Sequence, residues 1–276
     1  MLQKIIRDAL TTLYRLQHTR LTSLLCIVCM LICFGVQAQP PKVAIIMDDM
    51  GYRTTDIAAF DLPTSVTFAI LPHTPKSVEF AHSATEQGRI VMLHLPMETL
   101  NPHNLGPGAL LTQMDASMIA RTLDDALKSV PYAVGVNNHM GSKLTQLSLP
   151  MTNLMTALAE RQLFFVDSRT TPLSKAHRIA LAAGVPSLQR KVFLDHELTD
   201  EFIQAQFQRL VRLAHKYGQS IGIAHPHPLT VERLKSLIAN TDGIEFVPIT
   251  ALFSSGQKAL LANRNPLTPI STTSAP

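Results

Sequence analysis

Tryptophan is absent from the 276 residues, charged residues make up only 16% and cysteine occurs three times. The cysteines, Cys26, Cys29 and Cys33, all lie in one apolar run near the N-terminus. The rest of the chain can therefore form neither a disulfide nor a thiolate metal site, and any metal must be held by histidine and carboxylate. The formal charge of +4 is also misleading. Residues 1–38 contain Lys4, Arg7, Arg15, Arg20 and Asp8, a net +3, so the remainder carries about +1. That argues against a nucleic-acid binder, which would show a basic face or stripe. No Gly-rich phosphate loop and no serine nucleophile elbow occur, which removes two common catalytic devices. There is no internal repeat, and no pair of similar lobes such as a transporter's binding protein would show.

The N-terminus has the order of an export signal. A basic stretch ends at Arg20, an apolar run extends from Leu24 to Val36, and small residues lead to Ala38. Cleavage is expected after Ala38, giving a periplasmic or secreted protein. The alternative is an uncleaved leader anchored in the inner membrane, since the apolar run could be stretched across a bilayer. A lipoprotein is disfavoured because Ile32, not a small residue, precedes Cys33. The expected organisation is a signal peptide over 1–38, one domain over 39–254 and a polar, proline-dotted disordered tail over 255–276.

Within the domain, apolar runs alternate with helical patterns. Expected strands are 43–47, 65–71, 89–93, 133–136, 163–166, 192–194, 221–224 and 243–247. Between them, helices are expected to start at Pro75, to be capped by Asp115 and Thr199, and to stop at Gly88, Gly184 and Gly218. One face of the helix after Asp115, with Ile119, Leu123, Ala126 and Leu127, is apolar. The segment after Glu98, with Pro102, Gly106, Pro107 and Gly108, is longer than an ordinary α/β connection. Regular strand–helix alternation implies a single α/β domain with a parallel sheet. Seven or eight units favour a (β/α) barrel, seven-stranded or incomplete, over an open doubly wound sheet.

Six of the eight expected strands run into groups that bind metals or move protons: Asp48 and Asp49; His94 and Glu98; Asn138 and His139; Asp167; Asp195 and His196; His225 and His227. In a barrel these positions share one rim. Each has a plainer explanation. Asp48 and Asp49 could cap a helix, Asp167 could cap its own turn, Asn137 and Asn138 could form a turn with Gly141, and His225-Pro226-His227-Pro228 could be a stiff exit from its strand. Repetition at six strand ends favours a site. Mixed imidazole and carboxylate donors suit a divalent cation such as Zn²⁺, with one Asp of the pair as ligand and the other as base.

The segments IIMDDMG (45–51), MLHLPME (92–98), GVNNHMGS (135–142), FFVDSRTT (164–171), FLDHE (193–197) and GIAHPHP (222–228) resemble the divergent polysaccharide deacetylase family, a branch of the NodB-type carbohydrate deacetylases. The likeness covers residues 42–250. It implies that Asp48 is the base and that Asp49 and His94 bind the metal. It also implies that His225 is the general acid. The main family's second metal-binding histidine falls at Glu98, so the third ligand is either Glu98 or His139; Asn138, Asp167 and His227 are further candidates for ligand or substrate contact. The family's arginine–proline motif has no counterpart. The resemblance thus implies an exported zinc-type hydrolase that removes N-acetyl groups from a polysaccharide such as peptidoglycan. The rival is a non-catalytic envelope protein of the same fold that binds glycan or a protein. If the leader is processed as expected, N-terminal sequencing of the exported protein should start near Gln39; an intact leader would favour the anchored alternative.

Overall fold

The structure, a computed structural model, describes residues 1–33 and 39–261, without the side chains of 21–33. The chain divides into two units, Met1–Pro40 and Pro41–Pro276. The first contains helix α1 (Leu2–Cys33), exposed over residues 1–20. The expected cleavage site falls outside the described residues. Among those described, no helix is long and apolar enough to cross a membrane.

The second unit is an α/β domain. In chain order it runs β1 (Lys42–Met50), a 3₁₀ turn (Thr54–Asp61), β2 (Thr67–Ile70), α2 (Ser77–Glu86), β3 (Val91–Met97), α3 (Ala116–Ser129), β4 (Gly135–Met140) and α4 (Ser148–Glu160). It continues through β5 (Phe164–Asp167), α5 (Ala176–Ala182), β6 (Ser187–Gln189), β7 (Val192–Phe193), α6 (Asp200–Tyr217), β8 (Gln219–Ala224), α7 (Pro228–Ala239), β9 (Glu245–Phe246) and α8 (Ser255–Leu261). All the ladders are parallel, in the order β6-β5-β4-β3-β2-β1-β8-β7, with β9 also paired to β1. This curled sheet is the incomplete (β/α) barrel expected from the alternation. No ladder joins β6 to β7. The chain itself crosses that seam, with the Arg190 N–H donating to Asp167 O on one side and the Lys191 N–H to Ile221 O on the other.

Side chains alternate across each strand. In β1, Val43, Ile45 and Met47 join the outer core beneath the helices, while Ala44 and Ile46 join the inner one. The inner face also takes Met92, Phe164, Val166, Ile221 and Ile223, and is filled by Ile249, Leu252 and Phe253 from the C-terminal segment. Continuing each alternation toward the C-terminal rim points Asp48, His94, Asn137 and His225 inward.

Several boundaries differ from the expectation. Strands β3 and β4 extend as far as Met97 and Met140, paired from Met92↔Gly135 to Met97↔Met140. His94, Asn137, Asn138 and His139 therefore lie within strands and not beyond them. The short, polar β6 has no apolar run to announce it. Helix α2 begins at Ser77, not Pro75, because Thr74 and Ser77 hydrogen-bond to each other at the turn. The first residues of the expected tail, Ser255–Leu261, form α8, and 262–276 lie outside the described residues. The caps at Asp115, accepting from Met118 N, and at Thr199, accepting from Phe202 N, match the expectation, as does Gly218 in the left-handed region.

Gly135 marks the tightest approach within the barrel. A Cβ there would lie 2.2 Å from the Phe164 ring on the neighbouring strand. Neither group can move without disturbing the inner core, and overpacking of this kind costs about 1–3 kcal/mol. Gly135→Ala should lower unfolding stability by that order in a denaturant titration, without changing any group of the rim.

Candidate active site

The first strand delivers two carboxylates to the same place by breaking its own alternation. Register with β2 shifts between Met47 and Met50, and Asp49 has φ +57°. Bulges of this kind re-aim a side chain. Asp48 follows the strand inward and is buried; Asp49 is turned to the cleft and half-exposed.

Asp49 Oδ1 is 3.0 Å from His94 Nε2 and 2.8 Å from His139 Nδ1, and those two nitrogens are 3.2 Å apart. The oxygen is buried, yet no N–H is aligned on it. The opposite side of His94 explains why. Asn137 Nδ2 donates to Asp48 Oδ1 at 2.8 Å, so the Asn137 amide oxygen faces His94 Nδ1 at 2.9 Å and requires a hydrogen there. A neutral His94 then presents a bare lone pair at Nε2, aimed at a carboxylate oxygen. Only a proton or a cation between these atoms relieves the contact. Two imidazole nitrogens and a carboxylate oxygen converging in this way suit a borderline divalent cation, with Asn137 fixing the tautomer from behind.

The charges support one another. Burial alone would raise the Asp49 carboxyl, but the His139 and His94 rings hold it well below the usual carboxylate range. Burial pushes Asp48 up, partly opposed by His94 and His225. Burial disfavours a charged His94, yet the neighbouring Asp48 and Asp49 raise its pKa in the metal-free protein.

Across the cleft, Asp195 holds His225. Its Oδ1 is 3.0 Å from His225 Nδ1, and its Oδ2 accepts the His225 N–H at 2.7 Å and the Thr230 hydroxyl at 3.1 Å. Phe193 stacks on the imidazole at 5.1 Å. Burial would lower the His225 pKa, but Asp195 takes it up to about 9. The free Nε2 lies 3.8 Å from Asp49 Oδ2. His227 completes a second trio with Asp195 and His225. With both Asp195 oxygens taken by donors, that trio is a hydrogen-bonded pair beside a histidine and not a second cation cage. Asp195 was visible in the sequence as a strand-end carboxylate, but nothing local assigned it to a histidine 30 residues away.

The remaining candidates are employed elsewhere. Glu98 does not join the Asp49–His94–His139 group: it pairs with Lys143 and accepts the Thr112 N–H, tying the long loop after β3 to the exit of β4. Asn138 accepts the Ser168 N–H and donates to Met140 O, joining β4 to β5. Asp167 spends its oxygens on Arg169 N, Ser174 Oγ and His177 N, the turn-capping role considered for it. His227 does reach the cleft, a space of about 140 Å³ whose wall includes Asp49, Tyr52, Asp56, Leu71, His139, His225 and Pro226.

Residues 45–253 match the sequence profile of the divergent polysaccharide deacetylases. The chain belongs to that family. It is 40% identical over 200 residues to the uncharacterized protein YibQ of Escherichia coli K12, an alignment covering 72% of this chain and 63% of that one. Less than two thirds of that relative's length is therefore spanned. An uncharacterized protein of Haemophilus influenzae is 39% identical over 200 residues, covering 72% and 71%. The crystal structure of an uncharacterized protein from Agrobacterium tumefaciens C58 superposes with a TM-score of 0.74 at 26% identity, covering 79% of this chain and 91% of that one.

Zinc titrated into the metal-free domain should bind stoichiometrically and release protons, because His94 must lose its proton to bind. Affinity should therefore fall as the pH is lowered. Asp49→Ala and His94→Ala should each abolish stoichiometric binding while leaving the circular dichroism spectrum in place. A wild-type domain that takes up no zinc by elemental analysis would remove the cation from this site.

Proposed function

We propose that this deacetylase-family domain is an exported, metal-dependent hydrolase that removes N-acetyl groups from cell-wall glycan. The observation that carries the reading is the convergence of Asp49 Oδ1, His94 Nε2 and His139 Nδ1 opposite His225. A divalent cation of the zinc type, held by those three residues, would polarise the amide carbonyl and make water more acidic. The chain's own groups account for the proton movements. Asp48 keeps Oδ2 free of Asn137, and burial makes that carboxylate a stronger base. It takes a proton from the attacking water. His225, kept protonated by Asp195, gives a proton from Nε2 to the departing amine nitrogen. Leu71 and Pro226 offer apolar wall for the acetyl methyl group.

Export rests on the basic, apolar and small-residue order of residues 1–38; the product would be periplasmic or secreted, or anchored at the inner membrane if the leader remains. The rival reading, a non-catalytic glycan- or protein-binding member of the fold, is favoured by the missing counterpart of the main family's arginine–proline motif.

Acetate release from N-acetylated glycan oligomers tests the choice. Asp48→Asn should lower it roughly 10²–10⁴-fold, the usual worth of a general base, with metal content unchanged. Asp195→Asn should shift the alkaline limb of the pH–rate profile to lower pH, because His225 must be protonated to act and loses the carboxylate that raises its pKa. Loss of metal together with activity in Asp48→Asn would make Asp48 a ligand. A wild type that releases no acetate from any glycan would favour the binding protein.

A further inference from the structure

Asp56, in the 3₁₀ turn after β1, is 1% exposed. Its Oδ2 accepts the backbone N–H of Gly51 at 3.1 Å and of Arg53 at 3.0 Å, which closes the turn leaving the strand. Its Oδ1 is buried and has no hydrogen-bond partner among the described residues. The same residue forms part of the cleft wall, together with Asp49, His139 and His225. A buried carboxylate oxygen without a donor is costly, and the cost falls when a ligand brings one. The backbone contacts require only Oδ2, so closing the turn leaves Oδ1 without a role.

We infer that Asp56 Oδ1 accepts a hydrogen bond from the bound substrate, and that the cleft therefore takes an N-acylated sugar with a free hydroxyl facing this wall, in preference to one with an acidic substituent there. The identity of the ligand as a sugar rests on the deacetylase reading; the acceptor does not. A carboxylate at this position attracts a hydroxyl or N–H hydrogen and repels a second carboxylate brought against it. Specificity would come as much from that repulsion as from the bond.

Asp56→Asn separates the two oxygens' duties. The amide oxygen can retain the Gly51 and Arg53 N–H groups, while the amide nitrogen places a donor where the cleft had an acceptor. Isothermal titration of zinc-loaded wild type and variant, with an N-acetylglucosamine tetramer and with N-acetylmuramic acid, reads the effect. The wild type should favour the neutral sugar. Asp56→Asn should bind it about 10–100-fold more weakly, the range for a hydrogen bond to a charged group, and the preference over the acidic sugar should shrink. Unchanged affinity in a variant of normal zinc content overturns the assignment, and so does a wild type that binds neither sugar. Monodeoxy analogues on the wild type give a second route that needs no variant: one of them should lose a similar factor, and equal binding by all of them overturns the inference. Acetate release in the same samples keeps the two readings apart. Asp56-dependent binding without release upholds the acceptor and removes the deacetylase; release with Asp56→Asn at full affinity does the reverse.

Discussion

Asp48 and Asp49 sit side by side at the end of a central strand, and the rim is built around the problem they pose. Adjacent carboxylates shielded from water repel each other and resist ionising together. Each is answered separately. Asp48 is met by the Asn137 amide, and Asp49 by two imidazoles. The single left-handed residue at Asp49 makes the separation possible, because it turns the second carboxylate toward the cleft while the first continues the inward alternation. Had β1 kept its register to the end, one of the two would have been driven outward beneath the helices, where no charged partner waits.

The same separation divides the chemistry. Asn137 connects Asp48 to His94 through one amide, with its nitrogen to the carboxylate and its oxygen to the ring. This ties Asp48 and His94 into one unit that spans β1, β3 and β4, with β2 lying between the first two. The second imidazole system lies on the other flank of β1: Asp195, after β7, holds His225, after β8. Asp48 and Asp49 thus raise the basicity of His94, and Asp195 that of His225, at opposite sides of one cleft, and Asp49 is the group both sides approach.

Much of this was legible in the sequence, for identifiable reasons. Parallel strands buried on both faces read as apolar runs, and the turns that end them read as glycine or as capping residues, so the alternation and the rim were visible. Strand ends were less so. His94 and Asn137 are polar, yet they continue their strands because Asn137, Asp48 and Asp49 satisfy them from neighbouring strands, and no local pattern reports a partner 43 or 89 residues distant. Strand β6 escaped notice because Ser187 to Gln189 contains a single large apolar residue. The choice between Glu98 and His139 was open for the same kind of reason. The spacing of Glu98 from His94 suggested a ligand, and only the fold brings Lys143 and the Thr112 N–H to that side chain.

The replacement at Glu98 has a structural counterpart on the next strand. In the β3–β4 register His94 lies opposite Asn137 and Pro96 opposite His139. Positions 137 and 139 share the inward face, so β4 can supply both the group that orients His94 and a second imidazole beside it. The second nitrogen enters through Nδ1, the ring atom nearer the backbone, as befits a residue still inside its strand rather than on a loop that can reach back. Glu98 is then free to brace the long loop after β3 through Thr112 and Lys143. A donor missing from one strand and supplied by its neighbour would leave the donor count unchanged while altering the angle from which it arrives. The divergent motif is therefore compatible with an intact three-donor site, and the substitution at position 98 alone does not argue for an inactive fold.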